Sequence, residues 1–189
     1  NTGVKRMMDI LAKYAPCAGD FEEVVGTKPN SDEEIIHGPS INDPLAARVF
    51  KTISEEHVGE MSFFRVYSGK VNAGDDLRNT TRNNSEKMRQ IYFMNGKNRV
   101  DTSQLIAGDI GAALKLKNTH TGDTLANAKS PILLPEIIYP TPNMSFAVKP
   151  KTRGDEEKIA NGLAVMHEED PTFLYRVDPE LKQTIISGQ

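Results

Sequence analysis

The sequence predicts a mainly β protein with an α+β end: an antiparallel closed β-barrel, then the first part (β-α-β-β) of a split βαββαβ unit. Three observations carry this. Between residues 44 and 138, short β-type runs alternate with turn signals and no long helix intervenes. Gly-Asp pairs at Gly74-Asp75, Gly108-Asp109 and Gly122-Asp123 punctuate those runs. Glycine supplies φ > 0 there and aspartate bonds the local backbone, as a tight turn needs. After Pro140 and Pro142 the pattern changes to strand, helix, strand, strand.

The elements follow in order. Val4, Met7, Met8, Leu11 and Tyr14 recur at helical spacing, so residues 3–15 read as a helix that Pro16 stops. About a dozen residues are marginal alone, and this apolar stripe needs a partner. Residues 17–43 read as a linker, rich in Gly, Pro and acids and poor in large apolar groups. Strands are expected at 45–53, 60–67, 70–71, 76–80, 87–95, 109–117 and 132–134. Beyond the prolines, Met144–Val148 alternates as a strand. Thr152-Arg153-Gly154-Asp155 resembles a capping box. Asp155, Glu156 and Glu157 suit the positive end of a helix dipole. Ile159, Leu163 and Met166 form the expected buried stripe of that helix, with Gly162 placed for close packing, and Pro171 closes it. Thr172–Val177 and Thr184–Ser187 complete the expected sheet.

Charge is uneven over the 189 residues. Residues 1–43 hold 4 basic and 8 acidic residues, residues 44–138 hold 13 and 10, and residues 139–189 hold 6 and 8. The overall charge of −3 excludes a uniformly basic nucleic-acid binder. It leaves room for a local face: Arg78, Arg82, Lys87, Arg89, Lys97 and Arg99 stand against Glu86 alone between residues 78 and 99. That excess reads as one basic hairpin facing phosphates, with Lys115 and Lys117 beside it, or as a hairpin kept soluble by its cations. No apolar run approaches the roughly 20 residues that span a bilayer. The single Cys17 excludes an internal disulfide and points to a reducing compartment.

Catalytic chemistry is not visible. The sequence holds no G-x-x-x-x-G-K-[ST] and no G-x-S-x-G. His37, His57, His120 and His167 lack ligand-like spacing and are expected at the surface or in loops. Glu55-Glu56, Asp75-Asp76 and Glu168-Glu169 are expected in solvated turns and at a helix end, since neighbours on a strand point to opposite faces. No catalytic, cofactor-binding or metal-binding residue is assigned.

Three stretches go beyond pattern. Gly69-Lys70-Val71-Asn72-Ala73-Gly74-Asp75-Asp76-Leu77 resembles the G-x-V-x-x-G-D-x-L signature in the barrel of translational GTPases. Asp43 to Lys51 followed by Gly59 to Gly69 is similar to the second domain of elongation factor G, and Ala107-Gly108-Asp109-Ile110 and Thr121-Gly122-Asp123-Thr124-Leu125 recur in its order. Val148 to Thr152, Glu169 to Phe173 and Gln183 to Gly188 resemble the opening of that factor's third domain. Glu55-Glu56-His57-Val58-Gly59 and Met94 to Arg99 depart from the family pattern.

The resemblance implies an internal fragment of a cytoplasmic ribosomal translocase. Residues 1–16 would be the last helix of a GTPase domain, 17–43 a linker, 44–138 the translation-factor-type barrel, and 139–189 a truncated ferredoxin-like third domain. GTP and Mg²⁺ would belong to the parent and not to this stretch. The implied partners are small-subunit ribosomal RNA and the GTPase domain, with no membrane. A truncated third domain would leave Met144–Val148 as an open edge and invite self-association. A ribosomal-protection or recycling GTPase of the same layout, or a free-standing RNA-binding barrel, is the alternative.

Overall fold

A computed structural model describes residues 2–55, 59–152, 154–181 and 183–189. His57, Glu56 and Arg153, which enter the readings above, lie outside the described residues. The helix α1 (Val4–Tyr14) forms as the spacing predicts, and its whole stripe is exposed. The next elements are β1 (Val24–Thr27) and β2 (Glu34–His37), an antiparallel hairpin in the stretch expected to be a linker.

The barrel is built around a long ribbon, β3 (Ala46–Glu55) against β4 (Gly59–Ser68). Inward positions on β4 include Phe64 and Val66, both fully buried. A register shift between Val49 and Lys51 marks a bulge at Phe50. It keeps both Val49 and Thr52 inside and leaves Phe50 outside against Phe63. The remaining strands are β5 (Lys70–Asn72), β6 (Asp76–Asn79), β7 (Asn84–Lys87), β8 (Ile91–Asn95), β9 (Asn98–Thr102), β10 (Gln104–Ile106), β11 (Ile110–Leu114) and β12 (Thr124–Ala126). Eight of the barrel strands run antiparallel in the order β7-β6-β12-β3-β4-β11-β8-β9, and β5 pairs with β10. Leu77 from one end of that order and Ile91 from the other share a single core with Phe64, Val71, Leu105 and Leu125. The sheet therefore curls around its own contents, as a barrel does.

The three Gly-Asp pairs form the expected turns with one geometry. Gly74, Gly108 and Gly122 have φ between 92° and 97°. Asp75, Asp109 and Asp123 each accept, on Oδ2, the backbone N–H three residues earlier, at 2.8–2.9 Å. Expected strand 87–95 is interrupted: Met88 is buried between β7 and β8. Expected strand 132–134 joins no ladder. Leu133 instead exchanges both backbone hydrogen bonds with Thr27 at 2.8 Å.

That exchange explains why residues 17–43 do not behave as a linker. Val24 and Ile35 of the hairpin close a second core with Ala46, Tyr67, Ala126, Ile132 and Leu134 on the outer face of the barrel. Gly26 permits the approach: a Cβ there would lie 2.6 Å from both the Ile132 side chain and the Leu133 carbonyl. His37, expected at the surface, is buried, and its Nδ1 has no hydrogen-bond partner. Burial holds its imidazole below the ordinary value near 6.5, outweighing the Asp43 carboxylate and the Pro44 carbonyl. The unfolded chain then binds the proton more tightly, so this contribution to stability is present above about pH 6.5 and is lost as pH falls. Between about pH 7 and about pH 5.5 the thermal midpoint of the wild type should fall further than that of His37→Leu. Equal falls in calorimetry would remove His37 as the cause.

The C-terminal part holds β13 (Met144–Val148), α2 (Glu156–Glu169), β14 (Leu174–Asp178) and β15 (Gln183–Gly188), in the expected strand, helix, strand, strand sequence. The sheet order is β13-β15-β14, which leaves β13 at an edge, as expected. Three local expectations are corrected. Asp155 is the N-cap of α2 without a side-chain cap bond, so Thr152 sits outside the helix and no capping box forms there. Met166 is exposed, and only Leu163 of the stripe is buried. Gly162 faces open space. The C-terminal end of α2 turns to the barrel. Glu169 Oε1 accepts the Ser54 N–H at 2.8 Å. Glu168 accepts the Thr121 N–H at 3.2 Å and meets His120 Nδ1 at 2.5 Å. The acid pair lies at the helix end, as expected, and ties α2 to β3 and the turn before β12.

Candidate nucleic-acid interface

The six cations between residues 78 and 99 do not lie on one hairpin. Arg78, Arg82 and Lys87 belong to the β6–β7 hairpin, and Lys97 and Arg99 to the β8–β9 hairpin, at opposite ends of the strand order. Arg89 lies in the connection between them. The reason is the buried Met88, which ends one ladder before the next begins.

Their surroundings differ. Arg82 donates from Nε to Asp123 Oδ2 at 2.8 Å, and the Asp123 side chain is 3% exposed. The same oxygen accepts Asn79 Nδ2 at 2.8 Å and the His120 N–H at 2.9 Å. A carboxylate this buried requires such partners, so Arg82 is committed to the fold before it is available to a ligand. Arg78 donates to Asn83 Oδ1. Lys87 and Asp76 are 4.0 Å apart and both exposed, a pairing of ~0–1 kcal/mol. Arg89, Lys97 and Arg99 are exposed.

Glu86, the one acid counted against these cations, does not face solvent. It is buried on β7 and accepts the Lys117 N–H at 3.0 Å, the Asn118 N–H at 2.7 Å and the Thr119 hydroxyl at 3.0 Å. Two consequences follow. The outward charge of β7 is more positive than the sequence suggests. The loop after β11 is held beside β7, which brings exposed Lys117 to the edge that carries Lys87 and adjoins Arg89. Lys87, Arg89 and Lys117 are the exposed cations on β7, in the connection after it and in the loop held against it. Neither Glu86 nor Asp123 is recognisable as buried from its own neighbours, since each stands among polar residues and turn formers.

Among the described residues no group of three or more His, Cys, Asp or Glu side chains converges to hold a metal. The sequence holds no G-x-x-x-x-G-K-[ST] phosphate-binding loop. No described helix is long and apolar enough to cross a membrane. His120 sits in the turn before β12, and His167 Nδ1 lies 2.6 Å from the Phe173 carbonyl.

The chain is a Gly-Asp-punctuated antiparallel barrel followed directly by a β-α-β-β sheet. Residues 44–128 match elongation factor G domain 2, and residues 139–189 match elongation factor G domain III. The chain belongs to the elongation factor G family. A crystal structure of a protein from Thermus thermophilus shares the fold over 98% of this chain, with a TM-score of 0.75 and 23% identity. The chain spans 26% of the length of that protein.

Proposed function

We propose that this chain serves a translational GTPase of the elongation factor G type, which moves tRNA and mRNA on the ribosome in the cytoplasm. The observation that supports this is the pair of family matches, two consecutive domains in family order on one chain. In this reading α1 is the last helix of a GTPase domain, whose surface would cover the exposed stripe. GTP and Mg²⁺ are bound there and not by the residues described above. The barrel contacts small-subunit ribosomal RNA, and the C-terminal sheet relays between the nucleotide centre and the decoding region. The free edge of β13 is where isolated chains would self-associate.

The RNA contact is assigned to Lys87, Arg89 and Lys117, with Lys97 and Arg99 on a separate hairpin. Each neutralised phosphate contributes about −0.7 to −0.9 to the slope of log K against log salt. Changing Lys87, Arg89 and Lys117 together to Gln should flatten the slope for binding to purified small ribosomal subunits by roughly 2–3. Arg82 is left intact because it neutralises Asp123. An unchanged slope would move the contact elsewhere on the chain. Absence of salt-dependent binding by the wild type would sink the proposal.

A further inference from the structure

We propose that the cleft between the β1–β2 hairpin and the outer face of β3 and β4 is a docking site for a polypeptide segment that presents one carboxylate beside an apolar side chain. The register sets Arg48 of β3 directly opposite Arg65 of β4. Directly opposed residues project from the same face, with Cβ atoms ~5 Å apart, and like charges there destabilise a ribbon. Val49 and Phe64, the next pair along, point into the barrel core. The two arginines therefore point outward, into a cleft of about 240 Å³ that both line.

Each guanidinium is partly anchored. Arg48 donates one N–H to the Pro135 carbonyl, and Arg65 lies over the Tyr67 ring at 5.3 Å from its centroid. The Nε–H of each is nevertheless shielded from solvent and has no acceptor. Among the described residues neither guanidinium forms an ion pair. Two opposed cations and two unpaired donors break the rules for a ribbon whose only task is to fold, and such breaks concentrate at functional positions. A carboxylate resolves both at once, because its two oxygens match guanidinium donors in a planar fork.

The rest of the lining selects what carries that carboxylate. Phe21, Val24, Tyr67 and Leu134 form apolar walls, and Glu23 lines the same cleft. A nucleic-acid backbone needs cations spaced along its phosphates. Here it would meet only two, side by side on one ribbon, enough for a single carboxylate. A Glu or Asp side chain next to an aromatic or branched one satisfies the arginines and the walls together. This site lies apart from Lys87, Arg89 and Lys117 and does not rest on the RNA reading.

The test is a nuclear magnetic resonance titration of the full chain, following the Nε–Hε signals of Arg48 and Arg65 as N-acetyl-glutamyl-phenylalanine amide is added. Both signals should shift saturably. The glutaminyl analogue should bind about tenfold more weakly or worse, as the loss of a charge-assisted pair requires, and oligouridylate should leave both signals in place. Arg48→Gln should weaken the acidic peptide by roughly fivefold or more with the core methyl spectrum unchanged, and Arg65→Gln supplies the same test if the first variant does not fold. Equal binding of the two peptides, no saturable shift with the acidic one, or a stronger response to oligouridylate would overturn the proposal.

Discussion

Phe64→Ala is expected to lower the unfolding free energy of the barrel by about 3–5 kcal/mol, the usual cost of emptying a buried aromatic site. Phe64 is completely buried at the centre of β4, and strands from both ends of the sheet order meet it in one core. The neighbours cannot collapse into the space without breaking the ladders on both sides of β4. Phe50 is the control. It is the same residue type on the paired strand, 41% exposed on the outer side of the bulge. Phe50→Ala should cost less, about 1–2 kcal/mol, since a large part of its ring is already in solvent and its site is open to water. Urea titrations of both variants would show it, and equal shifts of the midpoint would mean that the inside and outside of this ribbon are misassigned.

Asp123→Ala should cost about 2–4 kcal/mol, the second largest effect. One oxygen of Asp123 accepts from Asn79, the His120 backbone and Arg82, joining β6, the turn before β12 and the β6–β7 hairpin. Truncation leaves the buried Asn79 amide short of an acceptor, while the half-exposed Arg82 is rehydrated. Asp123→Asn, which keeps an accepting oxygen, should cost less than Asp123→Ala. In a double-mutant cycle with Arg82→Ala the two losses should be less than additive. Strict additivity would show that the ion pair contributes nothing beyond the backbone turn.

Much of the fold was legible because the signals were local. Gly-Asp turns depend on one φ > 0 residue and one short acceptor, and both are visible in adjacent positions of the chain. The β-α-β-β order after residue 139 follows from proline breaks and a change of period. What escaped was set by partners distant in sequence. Asn98–Thr102 carries one large apolar residue, Val100, and is a strand because β8 offers it a complete ladder. Residues 17–43 carry linker-like glycine and proline, yet Gly26 is small so that the hairpin can reach Ile132 and Leu133. His37 and Glu86 are polar residues whose burial depends on what closes over them.

By itself the sequence determined the class: a barrel with Gly-Asp corners, an α/β sheet after it, and motifs that place both in the elongation factor G family. These properties are written in spacing, and spacing survives without knowledge of contacts. Only the tertiary structure decided where charge is available. It divided one basic run between two hairpins, withdrew Glu86 and Asp123 from the surface, and held the loop of Lys117 against β7. It also set Arg48 against Arg65 across a ribbon. Strand register and burial are collective outcomes of packing, and the net charge of a surface patch depends on both.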